Sequence, residues 1–140
     1  MKKTAKGFTL IELLVVVSII GILATLVTAN LNAARSRSRD AVRKADLKNV
    51  QTALRLYYND KGSYPTSIVW GAEFSNAGTV YMKALPKDPQ FPDQTYCYAP
   101  DVANDTFTLS ACLENKSDVN CKTVAVSCWT GCACVHQVTP

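Results

Sequence analysis

The chain is poor in the residues that most enzymes need and in the ones that interrupt helices. Among 140 residues there is one histidine, His136, so no Ser-His-Asp or Cys-His catalytic set can be singled out. Proline is absent until Pro65, which leaves nothing to break a helix over the first 64 positions. Cysteine is absent before Cys97, so no cross-link can form in the amino-terminal two thirds. Charge is absent between Lys6 and Arg35 apart from Glu12. The net charge of +4 rests on Lys2, Lys3 and Lys6 at the extreme amino terminus; without them 12 basic groups face 11 acidic ones. Strong electrostatic capture of nucleic acid by the domain as a whole is therefore not indicated.

What stands in the charge-free region is an apolar run, residues 8–29, interrupted only by Glu12. Its 22 residues exceed the roughly 20 needed to cross a bilayer as a helix. The three lysines before it place the amino terminus in the cytoplasm and the remainder outside by the positive-inside bias. A removable secretory signal has the same order of basic then apolar, and Ala29, Ala33 and Ala34 imitate a cleavage site, but its apolar stretch is shorter, about 7 to 15 residues. A simple single-pass anchor is the other plain reading. Neither explains Glu12, since a carboxylate at a membrane-helix centre costs roughly 2.5–3.5 kcal/mol, and less near the interface.

The segment Lys6-Gly-Phe-Thr-Leu-Ile-Glu-Leu-Leu-Val-Val-Val-Ser-Ile-Ile-Gly-Ile-Leu-Ala24 resembles, nearly letter for letter, the amino-terminal signature of type IV pilins and type II secretion pseudopilins. The resemblance implies cleavage between Gly7 and Phe8 by a prepilin peptidase on the cytoplasmic side, N-methylation of Phe8, and retention of the apolar run. It also implies a partner for Glu12, the free amine of a neighbouring subunit. Opposite charges in a low dielectric attract strongly, while either alone is penalised, so Glu12 acts as a register pin. Many relatives carry a proline near position 29; this chain has Ala29, which puts a local unwinding there in doubt.

Beyond the run, Ala33, Ala34, Ala41, Ala45 and Ala53 favour continued helix. Leu47, Val50, Leu54, Tyr57 and Tyr58 recur at spacings of three and four, an apolar stripe for a head to cover, and Gly62 reads as the stop. A helix over 8–61 would be about 80 Å long, too long for its own head. Its first half must bury itself in lipid or against other copies. Gly21, Ser18, Thr25 and Thr28 are its close-packing positions or weak points. Arg35, Arg37, Arg39, Arg43, Lys44 and Lys48, with only Asp40 and Asp46 opposing, form a basic collar. It reads as a solvated face with salt bridges between subunits; contact with DNA phosphates along a filament is the sharper reading, although no aromatic side chain stands in the stretch to stack on bases.

Residues 62–94 are rich in turn formers and read as a connecting loop. Tyr-Tyr-Asn-Asp-Lys-Gly-Ser-Tyr-Pro at 57–65 and Leu-Pro-Lys-Asp-Pro at 85–89 resemble the helix-to-sheet connection of the major secretion pseudopilin and related small pilins; Tyr64 and Pro65 would pack the helix end, and residues 85–89 lead into the sheet. Strands are expected at 95–98, 106–113, 122–128 and 133–138, with Phe107, Leu109 and Ala111 alternating against Thr106, Thr108 and Ser110. The expected fold is α+β and pilin-like: a leader (1–7), a membrane and filament-core helix (8–29), an amphipathic helix (30–61), a loop (62–94), and an antiparallel sheet with a cysteine-rich tail (95–140).

Cys97, Cys112, Cys121, Cys128, Cys132 and Cys134 are an even set in a small extracytoplasmic domain and predict three disulfides. Cys97 joined to the strand of Cys112, or Cys112 joined to Cys121, are the pairings first considered, with the last three cysteines holding down the tail. A zinc site from Cys128, Cys132, Cys134 and His136 lacks the usual ligand spacing. Trp129 reads as a core or surface anchor. The resemblance also raises calcium, for which Asp101, Asn104, Asp105, Asp118 and Asn120 supply oxygens in no recognised spacing. No cofactor is otherwise expected. Asn104-Asp105-Thr106 and Asn115-Lys116-Ser117 match the N-glycosylation pattern.

The resemblance implies a structural subunit, not an enzyme: a type IV pilus protein, with the major pseudopilin of a type II secretion system or a competence-pilus subunit as alternatives. Its implied partners are copies of itself in a helical filament, prepilin peptidase/methyltransferase, an inner-membrane assembly platform with its ATPase, and membrane lipid before assembly. It would be anchored in the cytoplasmic membrane first and lie in an extracellular or periplasmic filament afterwards. A membrane-anchored, disulfide-rich binding domain is the reading outside filaments, and it would tolerate Glu12→Ala.

Overall fold

The computed structural model describes residues 7–103, 105–124, 128, 132 and 134–140. Among these residues one helix, α1 (Leu10–Lys61), is followed by five strands: β1 (Phe74–Asn76), β2 (Thr79–Met82), β3 (Cys97–Asp101), β4 (Thr106–Cys112) and β5 (Val135–Val138). Contacts divide the chain into two units, Met1–Arg35 and Ser36–Pro140.

In the second unit the expected stripe is the core of the head. Leu47, Val50 and Leu54 are fully buried, joined by Ala53, Phe74, Leu85, Tyr96, Phe107, Leu109 and Ala111. Tyr57 packs at the edge of this core, with its ring 5.4 Å from Phe74 and 5.3 Å from Tyr81. Tyr58 instead stacks on Tyr64 at 4.7 Å, and Tyr64 meets Phe107 edge-on, so Tyr64 seals the helix end as anticipated. The helix stops where glycine allows it. Gly62 adopts φ 73° and its N–H donates to the Tyr58 carbonyl at 2.7 Å, a left-handed cap that a side chain would disfavour.

The loop after the helix contains a hairpin that the density of turn formers concealed. β1 and β2 pair antiparallel around Ala77-Gly78, whose φ values of 49° and 87° suit the tight primed turns that match strand twist. Reciprocal backbone bonds, Gly71 N–H to Leu85 carbonyl and Leu85 N–H to Ala72 carbonyl, both 2.8 Å, then seat buried Leu85 on the core.

The main sheet has the order β3-β4-β5, antiparallel throughout. Phe107, Leu109 and Ala111 of β4 are buried, as their alternation predicts, and Ser110 is buried with them because β4 is the central strand. The first expected strand is displaced: it spans Cys97–Asp101 rather than 95–98, with Pro100 tolerated because β3 is an edge strand. The last begins at Val135, and Ala133 lies outside the described residues. Of the strand expected at 122–128, the described part forms a single bridge, Lys122 to Val135, and residues 125–127 lie outside the described set.

Candidate functional site

In the first unit, every described side chain from Phe8 to Thr28 is exposed. Fifteen large apolar side chains between Phe8 and Leu31 face outward on all sides of the helix, from 81% exposure at Phe8 to 43% at Leu31. A helix apolar all round is the pattern of a membrane span or a buried helix, not of a surface one. Its hydroxyls are satisfied without outside help. Ser18 Oγ donates to the Leu14 carbonyl at 2.8 Å, Thr25 Oγ1 to Ile22 at 2.7 Å, and Thr28 Oγ1 to Ala24 at 2.9 Å, the bonding a low-dielectric surround requires. The helix continues through Ala29 without a break.

Glu12 has a partner in its own chain. The Thr9 backbone N–H and the Thr9 hydroxyl both donate to Oε2 of Glu12, at 2.8 and 2.7 Å, and the Glu12 N–H faces the Thr9 hydroxyl at 3.3 Å. With α1 starting at Leu10, Thr9 is the N-cap and Glu12 the third helical residue, a capping box. The signal stood in the sequence as Thr-x-x-Glu. Gly7 and Phe8 precede the helix, and a Cβ at Gly7 would meet open space; Lys2, Lys3 and Lys6 lie outside the described residues.

The basic collar requires correction, because three of its members are spent inside the head. Arg43 is completely buried, and each of its five N–H bonds has an acceptor. Nε donates to Asp88 Oδ2 at 2.7 Å, Nη1 to Asp40 Oδ1 at 2.8 Å and Glu114 Oε1 at 2.9 Å, and Nη2 to Asp88 Oδ1 at 3.0 Å and Gln90 Oε1 at 2.7 Å. Asp40 in turn accepts the backbone N–H groups of Glu114 and Asn115 at 3.0 and 2.9 Å. Arg39 holds both oxygens of Glu114, at 2.6 and 2.5 Å, and Lys44 holds Asp118 at 2.5 Å. Burial disfavours the Arg43 cation, but the bonds to Asp88, Glu114 and Asp40 outweigh it and hold the guanidinium charged. The stretch of α1 at 39–44 thereby fixes the loop at 88–90 and the loop at 114–118. Arg35, Arg37 and Lys48 remain exposed.

Lower on the stripe, buried Tyr96 donates its hydroxyl to Asp46 Oδ2 at 2.6 Å. Burial raises the Asp46 carboxyl above its usual range, the Tyr96 bond opposes this, and Asp88 adds to it.

The disulfides are Cys97–Cys128, Cys112–Cys132 and Cys121–Cys134. Neither pairing expected from the sequence, Cys97 to the strand of Cys112 or Cys112 to Cys121, is present. Cys97 of β3 stands opposite Ser110, and β4 carries Cys112 past the end of that pairing, so each cysteine instead reaches the segment that returns to β5. This bonding also removes the zinc reading, since Cys128, Cys132 and Cys134 carry no free thiol. Among the described residues no group of three or more His, Cys, Asp or Glu is placed to hold a metal. Of the oxygens considered for calcium, Asp118 is engaged by Lys44 and by the Asn120 N–H, Asp105 lies at the β3–β4 turn, and Asn104 lies outside the described residues. Trp129 is also outside them. Asn115 Oδ1 accepts the Ser117 N–H at 3.2 Å.

Residues 2–28 match the family model of the prokaryotic N-terminal methylation motif. The type II secretion system core protein G of Vibrio cholerae is 36% identical over 127 residues, covering 79% of this chain and 85% of that protein. The type IV wide pilus major component of Thermus thermophilus is 46% identical over 65 residues, 46% of this chain and 50% of that one. The type IV major pilin of Myxococcus xanthus is 42% identical over 59 residues, 42% of this chain and 27% of that one. No solved structure matches. A methylation motif leading into an apolar helix, a small α+β head knit by disulfides, and a core protein G relative matched over most of its length together establish that the chain belongs to the family of type IV pilins and type II secretion pseudopilins.

Proposed function

We propose that the chain is the structural subunit of a type IV pilus. It enters the cytoplasmic membrane with its amino terminus inside, is cut between Gly7 and Phe8 by a prepilin peptidase/methyltransferase, is N-methylated at Phe8, and is drawn by an assembly platform and its ATPase into a helical filament outside. The observation that carries this reading is the apolar surface from Phe8 to Leu31, left uncovered by the rest of its unit. Each large apolar side chain gains about 1.5–3 kcal/mol on burial, so lipid and then neighbouring copies are the environments in which the helix is stable. Glu12 sets the register: its Oε2 is held by Thr9, and the carboxylate is offered to the Phe8 amine of a neighbour. The role is structural rather than enzymatic.

The alignments favour a second reading. Leader and helix end at Lys61, so a match to 79% of the chain includes head residues, whereas matches to 46% and 42% need little more than the helix. The head is thus supported as that of a secretion pseudopilin, while the disulfide-rich tail favours a surface pilus.

Deletion of the gene with complementation separates the two. Loss of shearable surface filaments, whose subunit begins at methylated Phe8 by intact mass, supports the pilus. Loss of exoprotein secretion with surface filaments intact supports the pseudopilin. A mature chain starting after residue 29 would sink both.

A further inference from the structure

The cations of the basic collar divide by their height along α1. Arg39, Arg43 and Lys44 hold carboxylates of the head. Arg35 and Arg37, the two nearest the apolar half of the helix, are exposed and make no ion pair among the described residues. The carboxylates that border Arg37 are engaged already, Asp40 by Arg43 and Asp118 by Lys44.

The height of the two arginines matches a particular layer. Large apolar side chains are exposed from Leu10 to Leu31, and none follows until Val42. From Leu10 to Leu31 the helix rises about 32 Å, close to the 30 Å or so of a bilayer's hydrocarbon core. With its polar layers the bilayer measures about 40–45 Å, which leaves about 5–7 Å of headgroup on each side. Arg35 stands about 6 Å beyond Leu31, within that layer. Arg37 stands about 9 Å beyond, and its long side chain reaches back to the same level. The two positions are about 200° apart around the helix, so each arginine meets a different lipid. A guanidinium suits the group found at this depth, because its paired N–H donors match two oxygens of one phosphate.

We propose that Arg35 and Arg37 bind the phosphates of anionic lipids in the outer leaflet of the cytoplasmic membrane and so fix the depth of the helix before assembly. The proposal rests on the membrane-inserted stage of the reading above. Lys48 is exposed as well, but it stands about 25 Å beyond Leu31, more than two Debye lengths from the headgroups at physiological salt. Contrast with Lys48 therefore separates a contact made by height from one made by charge alone. Each cation at an anionic surface contributes about a fivefold preference. Drawing the subunit outward into a filament must break both contacts.

The test places the full-length chain in nanodiscs of phosphatidylcholine with a minor share of phosphatidylglycerol and counts, by native mass spectrometry, the lipids that leave the disc with it. Arg35→Gln and Arg37→Gln are each expected to lower the preference for phosphatidylglycerol about fivefold, and the two together about 25-fold. Arg35→Lys with Arg37→Lys keeps the charge and should keep most of the preference, which separates lost charge from lost fold. Lys48→Gln should leave the preference at the wild-type value. An unchanged preference in the double glutamine variant, an equal fall in the double lysine variant, or an equal fall in Lys48→Gln overturns the proposal. Unchanged lipid retention with loss of sheared filament in the host also overturns it, and assigns the arginines to contacts between copies. Failure of the reading beneath it is seen separately, as wild-type chain that alkaline washing strips from the membrane, and that result overturns both.

Discussion

Arg43 and Asp88 meet through two hydrogen bonds, Nε to Oδ2 at 2.7 Å and Nη2 to Oδ1 at 3.0 Å, with both side chains withdrawn from solvent although 45 residues separate them. The pair is the centre of a cluster that is stable because it is complete. Removing one partner leaves buried charge uncompensated, so Arg43→Ala is expected to destabilise the head by about 3–5 kcal/mol. Arg43→Lys should recover little, because an ammonium has three donors where five acceptors wait. Urea unfolding of the detergent-solubilised chain, followed by tryptophan fluorescence, to which Trp70 packed 5.4 Å from Tyr96 contributes, measures both; a lysine variant as stable as the parent would refute the geometric account.

The cluster also shows where sequence reading stops. The stripe of Leu47, Val50 and Leu54 and the stop at Gly62 were legible because helix periodicity and glycine conformation are local properties. Arg43 was not, since a cation on a helix ordinarily faces water and its acceptors lie in loops up to 71 residues away. The same holds for Cys97 and Cys128, whose pairing depends on how the chain returns to β5. The Thr9 to Glu12 cap is the opposite case: Thr-x-x-Glu ahead of an apolar run is a wholly local signal.

Acid should weaken the head in two stages. His136, half-buried in β5, is held below its usual 6.5 first by burial and then by the positive charges of Lys44 and Lys122, with Asp118 opposing. The unfolded chain therefore takes up this proton before the folded one, and stability falls as pH drops below about 6.5 toward the lowered folded value. Glu114, held below its usual 4.5 by Arg39 and then Arg43, and Asp118, held below 3.8 by Lys44 and the Asn120 N–H, extend the loss at lower pH. Asp46 works the other way, since a raised carboxyl stabilises the fold while protonated and loses that contribution as pH rises through its folded value. Chemical denaturation across pH 3–8 should show the first decline vanish in His136→Gln and the second shrink in Glu114→Gln; identical profiles for all three proteins would contradict these assignments.

The disulfides make a covalent prediction. Peptide mapping of the unreduced protein should find Cys97 with Cys128, Cys112 with Cys132 and Cys121 with Cys134. The third anchors Cys121, whose N–H donates to the Asp118 carbonyl at 3.0 Å, to Cys134, while Lys44 ties the Asp118 carboxylate to the helix. Replacing Cys121 and Cys134 together by serine should cost about 2–4 kcal/mol, and adding Lys44→Ala should cost less than its effect in the parent, because a freed loop no longer holds Asp118 in place. Strict additivity in that cycle would show the two restraints to be independent.

The last prediction concerns the helix start. Thr9→Ala removes the hydroxyl that donates to Glu12 and receives the Glu12 N–H, while the Thr9 backbone N–H bond to the carboxylate survives. Loss of an N-cap costs about 0.5–2 kcal/mol, confined to the first turn. Thr9→Ser keeps the oxygen and should keep the cap. In micelles, amide exchange at residues 10–13 should quicken in Thr9→Ala and not in Thr9→Ser, with the core amides at 47–54 unchanged in both. Glu12→Ala loses the bond from the Thr9 N–H as well, and on the register argument it should also abolish filaments, where Thr9→Ala merely reduces them. If Glu12→Ala frays the first turn but still polymerises, the carboxylate is a helix cap alone and the pairing with a neighbour's amine falls.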